Sequence, residues 1–211
     1  MPVVYTILAK MIVNRIKEPL IVGIHSAQYG LIPHRQILDN VANVLIGMEY
    51  AKYTQQDVLV MQVDIEKAFD TVEWDFIADT MRALGFGPDL ADAVYFFYAN
   101  STSSGLLDRE LTNFWTLGCS VRQGCPLNAL IYATVTHPLL LHLDHLLSLG
   151  RLHGLTLPLG NDFVGQAYAD DSLFMPRNTQ EDLQEIMQAL DLFGLAAGLH
   201  VNFRIKTPVS Y

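Results

Sequence analysis

Two adjacent carboxylates, in the tetrapeptide Tyr168-Ala169-Asp170-Asp171, constrain this chain more than any other feature. The apolar runs 163–164 and 172–175 flank the tetrapeptide, a pattern that predicts a strand, a tight turn and a second strand with both acids at the tip. A third acid, Asp64, follows the apolar run 58–63. Three acids at strand ends can hold two divalent cations about 4 Å apart, as used for in-line displacement at phosphorus. The pattern therefore predicts a two-metal site.

Composition indicates a globular protein with a sizeable core. The chain has 211 residues, of which 51% are hydrophobic and 17% charged, and this length suits one domain or two small lobes. Its net charge of −9 is unexpected for a nucleic-acid binder. Cys119 and Cys125 imply no disulfide framework, which favours a reducing compartment. The uncharged stretch 126–143 carries several polar residues, so we interpret it as a buried helix and expect no membrane span.

The spacing of apolar residues predicts an α+β fold. Strands are expected at 57–64 and 199–203, at the acid hairpin, and as a short pair within 101–118. Helices are expected at 5–18, 36–52, 71–84, 88–99, 126–149 and 179–197, with Pro138 kinking or splitting the fifth of them. This order matches a split-βαβ plan, in which an antiparallel sheet brings Asp64 beside the hairpin tip.

Two further segments have residue types suited to a nucleotide site. In the segment Asp64 to Asp70, the carbonyl of Ile65 can also face a metal ion. In the segment Arg122 to Leu127, Gly124 permits close approach of the backbone to a ligand, and Gln123 offers a donor and an acceptor to a base or sugar. Taken alone, the first segment is better explained as an acidic strand-to-helix turn and the second as a loop-to-helix junction.

Together the segments resemble the reverse transcriptase domain of non-LTR (LINE-type) retrotransposons, particularly those common in plants. Blocks similar to this family occur in the family's order and cover nearly the whole chain, at 28–40, 64–70, 122–127, 168–171 and 198–207. The chain departs from the family pattern at His34, where glycine is usual, and at Asn128-Ala129, where Ser-Pro is usual.

The resemblance implies the architecture of a polymerase palm, a split-βαβ antiparallel sheet with helices, together with partial fingers. Residues 1–56 would form the partial fingers and residues 57–211 the palm with its catalytic motifs. The thumb would be absent, and the remaining fingers, thumb and endonuclease regions would belong to a full-length element. An intracellular location, in the nucleus or cytoplasm, is a family inference only.

The resemblance also implies roles for individual residues. Two Mg²⁺ ions, with Mn²⁺ as a substitute, would be held by the Ile65 carbonyl and by Asp64, Asp170 and Asp171. Lys206 would protonate the pyrophosphate leaving group. Phe69 would exclude a ribose 2′-hydroxyl by steric clash. The deoxynucleoside triphosphate would be bound by Phe69, Gln123 and Gly124. The nucleic acid would be contacted by Arg35, Arg122 and Tyr168.

The implied function is RNA-directed DNA polymerisation, in which two-metal nucleotidyl transfer extends a primer 3′-hydroxyl. The expected partners are an RNA template, a DNA primer and dNTPs. Because phosphate contacts dominate affinity, the charge of −9 and the expected lack of a thumb predict weak template–primer binding. The alternative is a catalytically inactive retrotransposon remnant or binding module, which a metal titration would distinguish from the enzyme.

Overall fold

The computed structural model describes residues 3–30, 32–99, 101–121 and 124–206, with side chains described as far as residue 202. Helices occupy more of this part of the chain than strands do. They are α1 Val3–Gly23, α2 Ile37–Thr54, α3 Ala68–Thr71, α4 Trp74–Ala83, α5 Pro88–Tyr98, α6 Asn128–Ser148 and α7 Gln180–Ala197. All six predicted helices are confirmed, and the short α3 was not predicted.

The strands include two long ones and several short ribbons. They are β1 Val60–Glu66, β2 Thr102–Ser103, β3 Leu106–Leu107, β4 Glu110–Leu111, β5 Trp115–Thr116, β6 Leu155–Thr156, β7 Asp162–Phe163, β8 Gly165–Tyr168, β9 Asp171–Phe174 and β10 His200–Lys206. Region 101–118 therefore contains two ribbons, β2 with β5 and β3 with β4, where one pair of strands was predicted.

The central sheet has the strand order β10-β1-β9-β8, and each neighbouring pair is antiparallel. Along β1 the side chains alternate, so that Val63 and Ile65 are buried and Asp64 is exposed on the opposite face. This alternation follows from the two-residue period of a strand. One face of the sheet is therefore packed against the helices, and the other presents the first acid to solvent.

Helix α6 forms the centre of the hydrophobic core. Ile131, Tyr132 and Val135 are fully buried in the same cluster as Met61 and Val63 of β1. The helix packs against α1, α4 and α7, and it runs without interruption through Pro138, which neither ends nor splits it. In the described part of the chain, no helix has the length and apolar character needed to cross a membrane.

Candidate active site

The sheet register places the first acid directly opposite one of the paired acids. Asp64 on β1 and Asp171 on β9 are Cα partners in the antiparallel ladder. Asp170 lies in the two-residue turn that joins β8 to β9, and Ala169 in the same turn has a φ of 56°. Because partners in a ladder project to the same face, the carboxylates of Asp64 and Asp171 share one surface.

The electrostatics of Asp171 also indicate that the three acids are close together. Partial burial raises the pKa of Asp171, and the neighbouring charges of Asp170 and Asp64 raise it further. Like charges in one site resist joint ionisation. Among the described residues, however, no group of three His, Cys, Asp or Glu side chains is arranged to hold a metal ion. The acids are therefore neighbours on one surface without forming a closed ligand set.

The raised pKa of Asp171 predicts how this acid affects stability. A carboxyl whose pKa is raised on folding stabilises the fold below its unfolded pKa, and this contribution is lost as pH rises through the folded pKa. Asp171→Asn should therefore be more stable than wild type at neutral pH without divalent ions, and this advantage should shrink toward about pH 4. Thermal unfolding at both pH values checks this. Asp75→Asn, at an exposed helix acid, is the matched control, and an advantage that grew on acidification would contradict the prediction.

An aromatic pair lies beside the acids. The ring of Phe69, on the short helix α3, is half-buried and lies 4.7 Å from the ring of Tyr132, centroid to centroid. Burial raises the pKa of Tyr132, and the charges of Asp170, Asp64 and Asp171 add to the rise. The Tyr132 hydroxyl is buried and has no hydrogen-bond partner among the described residues. Helix α6 therefore supports Phe69 from below and brings an unpaired hydroxyl near the carboxylates.

The unpaired hydroxyl of Tyr132 should cost stability. A buried polar group left without a partner is penalised by about 1–3 kcal/mol, so Tyr132→Phe should raise the free energy of unfolding by about 1 kcal/mol. Tyr98→Phe is the matched control, because Tyr98 is equally buried but donates to Asn128 Oδ1 at 3.2 Å. Denaturant unfolding should show opposite signs for the two variants. A loss of stability in both would contradict the prediction.

The loop before α6 is attached to the Phe69 segment. Val121 donates its main-chain N–H to the Phe69 carbonyl at 2.7 Å, and Ser120 donates to the Val72 carbonyl at 3.0 Å. The next described residue, Gly124, is exposed and has a φ of 79°, a conformation that favours glycine. This attachment holds Val121, the last described residue before Gly124, beside the Phe69 segment.

Some of the predicted site residues lie in the described part of the chain and others do not. Arg122 and Gln123 lie outside the described residues, and so does the side chain of Lys206. Ile65 lies in β1 with its side chain buried. Tyr168 is half-buried and is the Cα partner of Asp171 in the β8–β9 ladder. Together with residues of helix α2, it lines a cleft of about 330 Å³.

Arg35 is directed into the protein. Its guanidinium donates to the carbonyls of His25 at 2.6 Å, Gln28 at 2.5 Å and Ile24 at 3.1 Å. These bonds fold the segment before α2 around the arginine. The nucleic-acid contact expected of Arg35 stays a prediction, and any such contact would compete with these internal bonds.

Sequence reasoning missed three residues around the acids, namely Gln28, Gly30 and Tyr132. Gln28 is fully buried and accepts a hydrogen bond from the main chain of Ala169 at 3.2 Å. Gly30 packs so closely on the same turn that a Cβ would lie 2.7 Å from the Tyr168 carbonyl carbon. Gln28 and Gly30 were missed because they are far in sequence from the acids, although both lie in the 28–40 block. Tyr132 was missed because its sequence context is that of an ordinary core aromatic residue.

Residues 1–207 match the model of a family described as reverse transcriptase (RNA-dependent DNA polymerase). The Transposon TX1 uncharacterized 149 kDa protein of Xenopus laevis is 31% identical over 200 residues, which cover 94% of this chain and 15% of that protein. The Pol polyprotein of the type-2 retrotransposable element R2DM of Drosophila melanogaster is 26% identical over 182 residues, which cover 83% of this chain and 16% of that protein. The chain thus spans about a sixth of the length of these relatives.

Solved telomerase structures share the fold. Apo telomerase of Candida tropicalis, truncated from its C-terminal domain, superposes with a TM-score of 0.59 at 11% identity, over 98% of this chain and 41% of that one. Telomerase of Candida albicans, solved in complex with a TWJ fragment of telomeric RNA, gives a TM-score of 0.62 at 10% identity, over 97% of this chain and 35% of that one. The fold is thus consistent with a partial polymerase palm. The chain belongs to the reverse transcriptase (RNA-dependent DNA polymerase) family, as a domain of the non-LTR retrotransposon type.

Proposed function

We propose that this chain carries out RNA-directed DNA polymerisation, adding a deoxynucleotide to the 3′-hydroxyl of a primer paired with an RNA template. One observation supports this most strongly. Asp64 and Asp171 are ladder partners on the solvent face of the sheet, and Asp170 lies in the adjoining turn. Negative side chains gathered on one exposed surface have a stability cost, which suits a site built to bind cations rather than a structural one.

Membership of the reverse transcriptase family implies a general dependence on divalent metal ions. We propose Mg²⁺, because carboxylate oxygens are the hard ligands that it prefers. Asp64, Asp170 and Asp171 are the side chains that would hold it, with the Ile65 carbonyl as a further oxygen. When bound, a pair of such ions stabilises both the attacking and the leaving oxygen of the displacement. This proposal is supported by the shared surface of Asp64 and Asp171, although no three-residue ligand group is formed among the described residues.

Phe69 would set the choice of sugar. Its ring is half-buried, packs on Tyr132, and stands on the helix that directly follows β1. A rigidly supported ring can reject a ribose by clash with its 2′-hydroxyl. The support from Tyr132 matters, because an unsupported ring would move aside.

Phe69→Ala should therefore relax sugar selectivity. We expect the ratio of dNTP to NTP incorporation efficiency to fall by about 10–100-fold, the range that shape discrimination of this kind supplies. Single-nucleotide incorporation with matched dNTP and NTP pairs checks this. Phe69→Tyr keeps the ring and is the control that should retain selectivity. Unchanged selectivity in Phe69→Ala would remove this residue from the role.

The remaining assignments extend the same proposal. Gln123 and Gly124 would line the nucleotide pocket, Lys206 would protonate pyrophosphate, and Arg122 would contact phosphate. Tyr168 would pack beneath the primer end, an assignment supported by its position opposite Asp171 in the hairpin. The division into partial fingers at 1–56 and palm at 57–211 is part of this proposal.

The test is incorporation of one labelled dNTP onto a short primer annealed to homopolymer RNA, in Mg²⁺ or in Mn²⁺. We expect addition of the complementary nucleotide only, and none in the presence of a chelator. A primer with no template is the control for untemplated addition. Product formed equally without template would contradict RNA-directed synthesis, and absence of product from the folded chain with either metal would contradict polymerase activity in these residues.

A further inference from the structure

The amide side chain of Gln28 is fully buried beneath the acid hairpin. Its Oε1 atom accepts hydrogen bonds from the main-chain N–H of Ala169 at 3.2 Å and of Gly30 at 2.9 Å. Its Nε2 atom donates to the hydroxyl of Thr136 on helix α6 at 2.6 Å. One side chain thus connects the turn that carries Asp170 to the central helix of the core.

The main chain around Gln28 runs alongside the hairpin. Gln28 forms a parallel bridge with Ala167 on β8. Ala167 donates to the Ala27 carbonyl at 2.9 Å, and Tyr29 donates to the Ala167 carbonyl at 2.8 Å. The segment is therefore held at the β8 edge of the four-stranded sheet by one isolated bridge, and this pairing limits where the Gln28 side chain can reach.

Arg35 holds the same segment from the other side. Its guanidinium binds the Gln28 carbonyl and two carbonyls upstream, so the main chain of Gln28 is fixed independently of its side chain. Charge-assisted bonds of this kind are stronger than neutral ones. The main chain of Gln28 is therefore held in place without help from the contact between its side chain and the turn.

Gln28 contacts Ala169, the residue of the hairpin turn whose backbone conformation is unfavourable. Ala169 is left-handed, with a φ of 56°, and this region is sterically unfavourable for a residue with a Cβ. Its N–H lies in a buried environment and needs an acceptor. Gln28 supplies that acceptor, and the next residue along the chain is Asp170.

We propose that Gln28 is a positioning residue of the polymerase site, which fixes the left-handed turn at Ala169 and thereby places the Asp170 carboxylate relative to Asp64. The effect of Gln28 on catalysis depends on the proposed function, but its effect on the turn does not. The hydrogen bond and its effect on the turn can be measured without activity. Misplacement of a reacting group by about 1 Å costs on the order of 100-fold in rate.

The first test is amide hydrogen exchange resolved by residue, in Gln28→Leu and in Gln28→Glu. A glutamic acid side chain keeps an oxygen that can accept from the Ala169 N–H, whereas leucine has no acceptor. We expect the Ala169 N–H to exchange about tenfold faster in Gln28→Leu, as follows from loss of one hydrogen bond, and to stay protected in Gln28→Glu. The Ala167 N–H, bonded to the main chain of Ala27, is the internal control and should stay protected in both. Unchanged protection of Ala169 in Gln28→Leu would overturn the proposal.

The second test is single-nucleotide incorporation, measured below the melting temperature of every variant. Gln28→Leu should lower kcat by about 10–100-fold with a smaller change in KM, because the defect lies in placement of the acid and not in nucleotide affinity. Gln56→Leu is the matched control, since Gln56 also bridges to main chain, through Thr156 N at 2.8 Å and O at 2.9 Å, on the separate β6–β7 ribbon. A wild-type rate in Gln28→Leu, or an equal loss in Gln56→Leu, would contradict the role. An inactive wild type would count against the proposed function, while the exchange result would still decide on Gln28.

Discussion

Asp170→Asn/Asp171→Asn is expected to lose single-nucleotide incorporation by on the order of 1,000-fold or more. The reason is that the variant removes two of the three carboxylates that the sheet brings to one surface. Stabilisation of the reacting oxygens by metal ions is worth several kcal/mol, and each 1.36 kcal/mol changes the rate tenfold. Asp64→Asn should show a loss of the same order, because it removes the partner from the opposite strand.

Unfolding should not explain this loss. Repulsion from Asp170 and Asp64 contributes to the raised pKa of Asp171, so removing charge from the cluster should leave the fold at least as stable. Asp75→Asn/Glu181→Gln is the matched control, because it changes net charge by the same amount at two exposed helix positions. Equal loss of activity in the control, or retained activity in the Asp170 and Asp171 variant, would show that the paired acids are not the catalytic groups.

Gly30→Ala is the second change with a large expected effect. A Cβ at this position would lie 2.7 Å from the Tyr168 carbonyl carbon and 2.9 Å from Ala169 Cα, and it would clash with the Ala169 main-chain nitrogen. These are backbone atoms of the turn that carries Asp170, so no flexible side chain can move to relieve the clash. We expect a loss of about 1–3 kcal/mol in the free energy of unfolding, typical of overpacking, and a fall of about 100-fold in incorporation.

Thermal unfolding and single-nucleotide incorporation measure the two parts of this prediction. Gly118→Ala is the matched control, because a Cβ on Gly118 would meet no described atom within 4 Å. It should behave as wild type in both assays. A Gly30→Ala variant with unchanged stability and rate would contradict the close contact between Gly30 and the main chain of Tyr168 and Ala169.

Much of the fold could be predicted because the relevant signals are local. Apolar periodicity located all the longer helices, and the acid hairpin followed from a short pattern of apolar runs around Asp170 and Asp171. The end of β1 was placed wrongly, at residue 64. In the structure the strand continues to Glu66, because β10 pairs with it as far as Glu66 opposite His200. A strand's end depends on its partner, which no local pattern specifies.

The sequence was enough to predict which carboxylates form the candidate site. It was not enough to predict which residues hold them in place. Register brought Asp64 opposite Asp171 as expected, because the alternation of buried and exposed positions fixes which side chains share a face. The roles of Gln28 and Arg35 depend on contacts between segments that are distant in sequence. A buried glutamine and an arginine bound to carbonyls look, in sequence, like any polar residues in a loop.

The most direct test of the central claim, that the three acids form a divalent metal site, is Mn²⁺ titration of the purified chain followed by electron paramagnetic resonance. The account predicts two bound ions per chain with spin coupling between them, because ions about 4 Å apart interact magnetically. Asp64→Asn/Asp170→Asn should lose this binding, whereas Asp75→Asn/Glu181→Gln should retain it. Mn²⁺ binding by the wild type that is no tighter than that of Asp64→Asn/Asp170→Asn would contradict the claim.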